Sequence, residues 1–299
     1  MRKESFSRKI FNVSNVMFMC LLMVVMVFPY LNVLAKAFNE GKDSQRGGIT
    51  IFPRAFTTEN FVTVITDSAF PRAFVLTVGI VLAATVLALI VQIMAAYALT
   101  RKDLIGRSFL LVLFMVPMYF GGGLIPTYIM YSNIGILNNV LVYILPTCFG
   151  LYNTIIIRSY INGLPGGLAE AARIDGAGEL TILWRIIVPL SKPVMATIAL
   201  WTAVGKWNDW TTTMYYVTKR SLYTLQYLLV QALKESQRIQ SMIDEALKRG
   251  EYIVVGDASI TSESIQEAQI IVTTIPIVIV YPFLQKYFIK GVMVGAIKD

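Results

Sequence analysis

The chain has 299 residues, of which 56% are hydrophobic and 15% charged, with a mean hydropathy of +0.64. Soluble domains run nearer a quarter charged, so the composition excludes an ordinary globular protein and points to the membrane. The formal net charge of +8 would suit a nucleic-acid ligand, but its distribution along the chain, given below, argues against one.

A membrane-spanning helix needs about 20 apolar residues. Charge-free runs over 16–34, 74–99, 109–130 and 140–157 meet or approach that length. Residues 194–217 form a fifth candidate, interrupted by Lys206 and Asp209, and 270–289 a sixth, holding Pro276, Pro282 and Lys286. Neighbouring helices can satisfy the carbonyls that such prolines free. The basic residues, apolar run and Ala35-Lys36-Ala37 at the N-terminus imitate a signal peptide, yet the run is longer than a usual h-region and reads as an uncleaved first span.

Six spans place both termini on one side. With the N-terminus inside, the cytoplasmic segments carry 14 basic and 6 acidic residues, and the external side 12 of each. The whole net charge then lies inside, as positive-inside bias requires. This disposes of the nucleic-acid reading.

The organisation follows in chain order. Residues 1–15 are a cytoplasmic tail, and 16–73 are the first span with an external loop able to form only small local structure. Residues 74–290 are a core, with a cytoplasmic loop at 158–193 and an external segment at 218–269, and 291–299 form a cytoplasmic tail. The brief outer link at 131–139 predicts a tight antiparallel hairpin of the third and fourth spans. Apolar residues from Leu225 to Leu247 recur at three- and four-residue steps, which predicts one or two amphipathic helices outside the membrane.

The candidate chemistry is sparse. There is no His, and Cys20 and Cys148 read as small buried apolar residues, so no metal site is expected. Gly121, Gly122 and Gly123 interrupt the third span; they either give an irregular backbone beside a polar pathway or let helices pack closely. Gly122 and Tyr128 are accordingly candidates for that pathway. Trp207, Asn208 and Asp209 would suit a sugar, whose CH faces stack on rings and whose hydroxyls need partners. A Trp here also fits the aromatic belt at the membrane surface, which is the better reading. Gln92 reads as an interhelical hydrogen bond rather than a substrate ligand. No G-x-x-x-x-G-K-[ST] phosphate loop occurs, so ATP is not bound here by the usual route. Spans one to four carry no charge deep in the membrane, as ion-driven carriers commonly would.

The most informative segment is EAARIDGAGELTILWRIIVPLSKP, residues 170–193. Glu170-Ala171-Ala172 is followed after three residues by Gly176, after nine more by Ile186, then by Val188-Pro189. Leu168, Ala171, Ala172 and Asp175 fall within little more than two turns, so small side chains are expected to share one helix face for a close partner, with Glu170 and Arg173 flanking them for polar contacts and Gly176 ending the helix. The pattern closely resembles the EAA loop of ABC importer permeases, with Val188 where that pattern has Leu. Further segments, MYFGGGLIPTY, IRSYINGLPGGLAEAARIDGA, IVPLSKPVMATIAL, the Trp207-Asn208 pair and FLQKYFIKGVMVGAIKD, resemble the carbohydrate-uptake permeases of the maltose MalG-like class, in its LplC/YtcP-like branch.

The resemblance implies an all-α integral membrane protein of the bacterial cytoplasmic membrane, with six spans and the type I ABC importer (MetI-like) fold, importing a sugar by alternating access. It implies as partners a second homologous permease, two ABC ATPase subunits and an extracellular solute-binding lipoprotein, which 218–269 would contact. The cofactor, ATP with Mg, would sit on the ATPases and none on this chain. The coupling residues implied are Glu170, Ala171, Ala172, Arg173, Asp175, Gly176, Ile186 and Pro189. The tail residues Gly291, Gly295 and Lys298 would reach toward the ATPases. An ABC permease for a non-sugar solute is the alternative, and a stand-alone carrier would leave the EAA segment without a purpose.

Overall fold

A computed structural model of the chain describes residues 6–249 and 260–296, with side chains for all of these except 6, 240, 244, 247 and 283–296. The described residues are mostly helical, and their one β-feature is an isolated bridge between Asn39 and Phe56. Three helices, Ser7–Ala37, Ala69–Thr100 and Ser262–Pro282, are long and apolar enough to cross a membrane. Three further pairs reach span length only when two bent pieces are joined, at 119°, 43° and 80°. The six apolar runs therefore appear, but half of them are broken.

The chain divides into two compact units. One holds the described residues within 1–70 and 229–275. Its helix α1 (Phe6–Ala37) exposes apolar side chains along most of its length, including Phe11, Met17, Leu21 and Met26, as a lipid-facing span does. Cys20 is exposed there, not buried as the composition suggested, because α1 has few packing neighbours to cover it.

After α1 the loop closes on Asn39, which is fully buried. Its Oδ1 accepts the N–H groups of Arg54 and Ala55 at 2.8 Å each, and its Nδ2 donates to Asp43 at 3.1 Å and Ser44 at 3.0 Å. Asn60 donates to the carbonyls of Ala37 and Asn39, both at 2.9 Å. The Asn39 amide, with Arg54 beside it, holds the Asp43 carboxyl below the usual carboxylate range. Short helices α2 (Gly41–Gln45) and α3 (Glu59–Thr66) flank this knot. In the same unit Lys36 pairs with Glu267 at 3.6 Å.

The other unit holds the described residues within 71–228 and 276–299. Helix α4 (Ala69–Thr100) supplies one wall of its inner core, where Ile93 and Ala96 meet Ile157, Ile161, Ile182, Leu183, Ile187 and Ile198. The third span becomes α5 (Arg107–Tyr119) and α6 (Leu124–Asn133), turned by 119°. Between them Gly123 adopts φ +85° and ψ 173°, a region nearly closed to other residues. A Cβ on Gly121, Gly122 or Gly123 would meet nothing within 4 Å, so no close packing among the described residues requires them, and Gly123 serves backbone shape. A bend of this size also replaces the expected simple hairpin of spans three and four.

The fourth span is α7 (Leu141–Ile144), a 3-10 turn at Leu145–Thr147 containing Pro146, and α8 (Leu151–Asn162). Then come α9 (Gly167–Ile174), α10 (Glu179–Ile182), a π-helical turn at Leu183–Ile187, α11 (Val188–Leu190) and α12 (Lys192–Trp207). Pro189 and Pro193 lack the N–H of a regular helix and fall where the chain turns by 80°. Helix α13 (Thr211–Tyr216) is separate, so the fifth run ends at Trp207 and not at 217.

A second core holds Ile80, Ile136, Val142, Tyr143 and Val217. Asn138 fixes its edge: at φ +54° its Oδ1 accepts from Thr218 N at 2.6 Å and Lys219 N at 3.1 Å. The amphipathic pattern after residue 224 forms one helix, α14 (Leu225–Lys248). The last helix, α15, spans Ser262–Ala296 and contains Pro276 and Pro282.

Candidate functional site

The conspicuous feature is the knob formed by α9, α10 and the π-turn. Helix α9 starts at the second of two glycines, Gly167, and ends in a Schellman motif: Gly176 N–H donates to Arg173 O at 3.0 Å and Ala177 N–H to Ala172 O at 2.9 Å. That ending needs the left-handed φ of +79° at Gly176. A Cβ at Gly176 would touch nothing, so any larger residue there is opposed by backbone strain alone.

The two faces of the knob differ. Ala169, Ala172, Ala177, Ile186 and Val188 pack against the inner core between α4, α8 and α12. The opposite face carries Leu168, Ala171 and Ile174 at three-residue steps, followed by Leu180 and Trp184. Ile174 is 86% exposed and Leu180 65% exposed. The expected shared face is therefore corrected: Ala172 faces the core and Ala171 faces out. Glu170 and Asp175 are exposed, and Glu170 makes no ion pair among the described residues. Pro189 is exposed and Ile186 half-buried.

Arg173 is not an outward flank either. Its Nε donates to Glu179 Oε1 at 2.9 Å, and its Nη2 lies 3.5 Å from the Tyr97 hydroxyl. Tyr97 also donates to Glu179, which takes a further ion pair from Arg101 at 3.3 Å. This cluster ties both short helices of the knob to the end of α4. Sequence reading missed Tyr97, Arg101 and Glu179, because only the fold brings residues 76 to 82 positions apart together.

The structure does not gather the pathway candidates into one site. Trp207 is buried against Phe74, ring edge to face at 6.0 Å, which removes it from both the aromatic belt and ring-stacking on a sugar. Asn208 donates back to Val204 O at 3.0 Å. Asp209 pairs with Lys206 at 3.0 Å and accepts from Thr212 N at 3.0 Å, capping α13. Gly122 lies in the exposed break of the third span, and Tyr128 stacks on Tyr216 at 6.3 Å. Gly291 and Gly295 lie on α15, whose side chains are not described there, and Lys298 lies outside the described residues.

A cavity of about 390 Å³ opens instead between α4, α8 and α12, lined by Gln92, Phe149, Asn153, Trp201, Thr202 and Lys206 among others. Gln92 is 1% exposed, and among the described residues its buried Oε1 has no hydrogen-bond partner. The interhelical bond expected of it is not formed. Among the described residues, no group of three or more His, Cys, Asp or Glu is placed to hold a metal ion.

A bundle of broken membrane helices carrying an exposed, apolar-faced knob defines a membrane-embedded helical protein. Residues 84–294 match the family described as "Binding-protein-dependent transport system inner membrane component", and the chain belongs to it. It is a permease of the ABC-importer type, in which a separate subunit hydrolyses ATP. "Protein LplC" of Bacillus subtilis (strain 168) is 34% identical over 290 residues, covering 97% of this chain and 95% of LplC. The "Polygalacturonan/rhamnogalacturonan transport system permease protein YtcP" of the same organism is 32% identical over 282 residues, covering 94% and 96%. One chain in the crystal structure of a bacterial ABC transporter "involved in the import of the acidic polysaccharide alginate" superposes with a TM-score of 0.85 at 26% identity, covering 96% of this chain and all of that one.

Proposed function

We propose that this chain is the translocating permease of an ATP-driven importer for a sugar or oligosaccharide. The observation that carries the coupling half is the exposed apolar face of the knob, Leu168, Ala171, Ile174, Leu180 and Trp184. Such a patch on a charged segment between spans is a partner surface, and an ABC ATPase subunit is its occupant. The saccharide half is supported by the polysaccharides named for YtcP and for the alginate importer. A second homologous permease completes the membrane domain, an extracellular solute-binding lipoprotein delivers the cargo, and ATP with Mg is held by the two ATPases. The tail at Gly291, Gly295 and Lys298 is a further contact with them.

Copurification tests the assembly. The tagged chain, expressed with its operon neighbours, brings down a second permease and an ATPase, and vesicles of the complex take up oligosaccharide only with ATP and binding protein. Purification of the chain alone, with ATP-independent uptake, would make it a secondary carrier. ATP-driven uptake confined to peptides or amino acids would keep the ABC permease and remove the sugar.

The orientation proposed has both termini in the cytoplasm, supported by the charge split of +8 inside against zero outside. In a background lacking Cys20 and Cys148, Gln45→Cys and Gln237→Cys react with an impermeant maleimide added outside, and Ser108→Cys does not. Labelling of Ser108→Cys with protection of Gln45→Cys would invert the topology.

A further inference from the structure

The loop that follows α1 comes back to it. No charged residue stands between Lys9 and Lys36, so the apolar part of α1 runs almost to its outer end. Asn32 lies four residues short of Lys36, roughly 6 Å deeper at a rise of 1.5 Å per residue. Its Nδ2 donates to Ile49 O at 2.8 Å and to Thr50 O at 2.7 Å. A chain that has left the end of α1 therefore returns along it to the level of Asn32.

We infer that residues 49–52 are a lipid anchor, which sets Ile51 and Phe52 into the headgroup boundary of the outer leaflet beside α1. The inference rests on α1 crossing the bilayer with the N-terminus inside, and is independent of the cargo and of the ATPase. Interfacial segments seat their apolar side chains about 5–10 Å into that boundary, and the level of Asn32 lies within this depth.

The tip is built to stay there. Gly47 at φ +73° and Gly48 at φ +78° turn the chain back, and Arg54 braces the turn, its Nε donating to Asp43 Oδ2 at 3.0 Å and its Nη2 to Gly47 O at 2.8 Å. Ile49 packs inward, whereas Ile51 is 41% exposed and Phe52 75%. Exposed apolar residues are ordinary singly. These two are adjacent in sequence and continue the exposed surface of α1, where Phe28 and Leu31 also face outward, so the lipid that covers the helix covers the tip. Arg46 and Arg54 bracket the apolar run and are both exposed, as suits the phosphates of the headgroup layer.

The anchor supplies what the packing of α1 does not. None of residues 7–34 is buried, and the depth and tilt of such a span are set by its interfacial contacts. Asn32 joins the span to the anchor through two hydrogen bonds, which also satisfy an amide that would otherwise face hydrocarbon.

The test places a bimane fluorophore on single cysteines of the complete importer, lacking Cys20 and Cys148, in vesicles of phosphatidylethanolamine and phosphatidylglycerol. The probe on Phe52→Cys is quenched roughly twofold more by lipid nitroxides near the top of the acyl chain than by those near its end, and is shielded from aqueous iodide. On Gln45→Cys, in the same loop, iodide quenches and lipid does not. Asn32→Leu makes α1 more apolar yet frees the tip, so lipid quenching at position 52 falls by roughly half. Iodide quenching at position 52 equal to that at position 45 would make the tip an aqueous loop and overturn the anchor. So would iodide quenching that disappears only when the solute-binding protein is added, or shielding from iodide and lipid alike, which would assign the tip to a protein partner. Unchanged lipid quenching in Asn32→Leu would overturn the part given to Asn32. A probe on Met26→Cys, deeper on α1, is quenched by the deeper nitroxides; its failure to be quenched by any lipid would remove α1 from the membrane, a result distinct from failure of the loop alone.

Discussion

Replacing Ile174 by Asp abolishes ATP-driven uptake and releases the ATPase subunit from the purified complex, while the permease stays folded in the membrane. Ile174 is 86% exposed and lies outside the inner core, so the substitution costs the isolated chain little. On docking, the wild-type side chain leaves water, worth about 1.5–3 kcal/mol for a fully buried isoleucine. An aspartate in the same place has to be desolvated without a partner, which adds several kcal/mol in the wrong direction. The combined change exceeds the 1.4 kcal/mol of a tenfold loss of affinity more than twice over.

Two neighbouring variants separate contact from shape. Glu170→Lys reverses an exposed charge at the same surface and weakens docking through like-charge contact. Gly176→Val leaves the surface chemistry intact but opposes φ of +79°, a conformation that costs an L-residue roughly 1–2 kcal/mol and a β-branched one more. Its Cβ meets no neighbour within 4 Å, so the damage is confined to the turn between α9 and α10. Copurified ATPase and uptake in vesicles are the measurements. Normal values of both for Ile174→Asp would mean that the exposed apolar face is not where the ATPase binds.

Much of this was legible beforehand because it is local. Apolar runs of span length need only composition, and the EAA segment carries its helix stop in Gly176 and its second turn in Pro189. What composition could not give was direction. Hydropathy sums the apolar residues of 109–130 without registering that Gly123 turns them through 119°, and 194–217 counts as one run although Asp209 caps a new helix inside it.

Spacing placed Ala171 and Ala172 on one surface, yet only the position of the inner core decides which of them faces out. The polar hubs were least legible. Asn39 and Asn138 look like ordinary loop residues, and each organises backbone groups far away in sequence, Asn39 across 15 and 16 positions and Asn138 across 80 and 81. Gln92 was visible as an isolated amide, but its lack of a partner is a property of the packed bundle.

The polar cluster behind the knob predicts a different failure from the docking face. Glu179→Ala leaves the ATPase bound and hydrolysing ATP but lowers the saccharide moved per ATP roughly tenfold. Glu179 is the one carboxylate shared by Arg173, Arg101 and the Tyr97 hydroxyl. Removing it leaves Arg173 without its carboxylate, Arg101 with Asp103 alone and a tyrosine without its acceptor, so α9 and α10 lose their tie to the end of α4. The charged bonds are partly solvent-exposed, with Glu179 at 49%, which limits each to about 1 kcal/mol.

The exposed residues Leu168, Ala171 and Ile174, the docking face proposed for the ATPase, are untouched by that change. What loosens is the lever: movement delivered to the knob dissipates in the turn at Gly176 before it reaches the helices around the cavity. Tyr97→Phe, which removes a single hydroxyl, costs less than fivefold on the same scale, as expected for one hydrogen bond of roughly 1 kcal/mol. Uptake and phosphate release measured on the same vesicles give the ratio. A Glu179→Ala protein with a normal ratio would show that the knob is held by its alanine and isoleucine packing alone, and that force passes to the bundle through Ala169, Ala172 and Ile186.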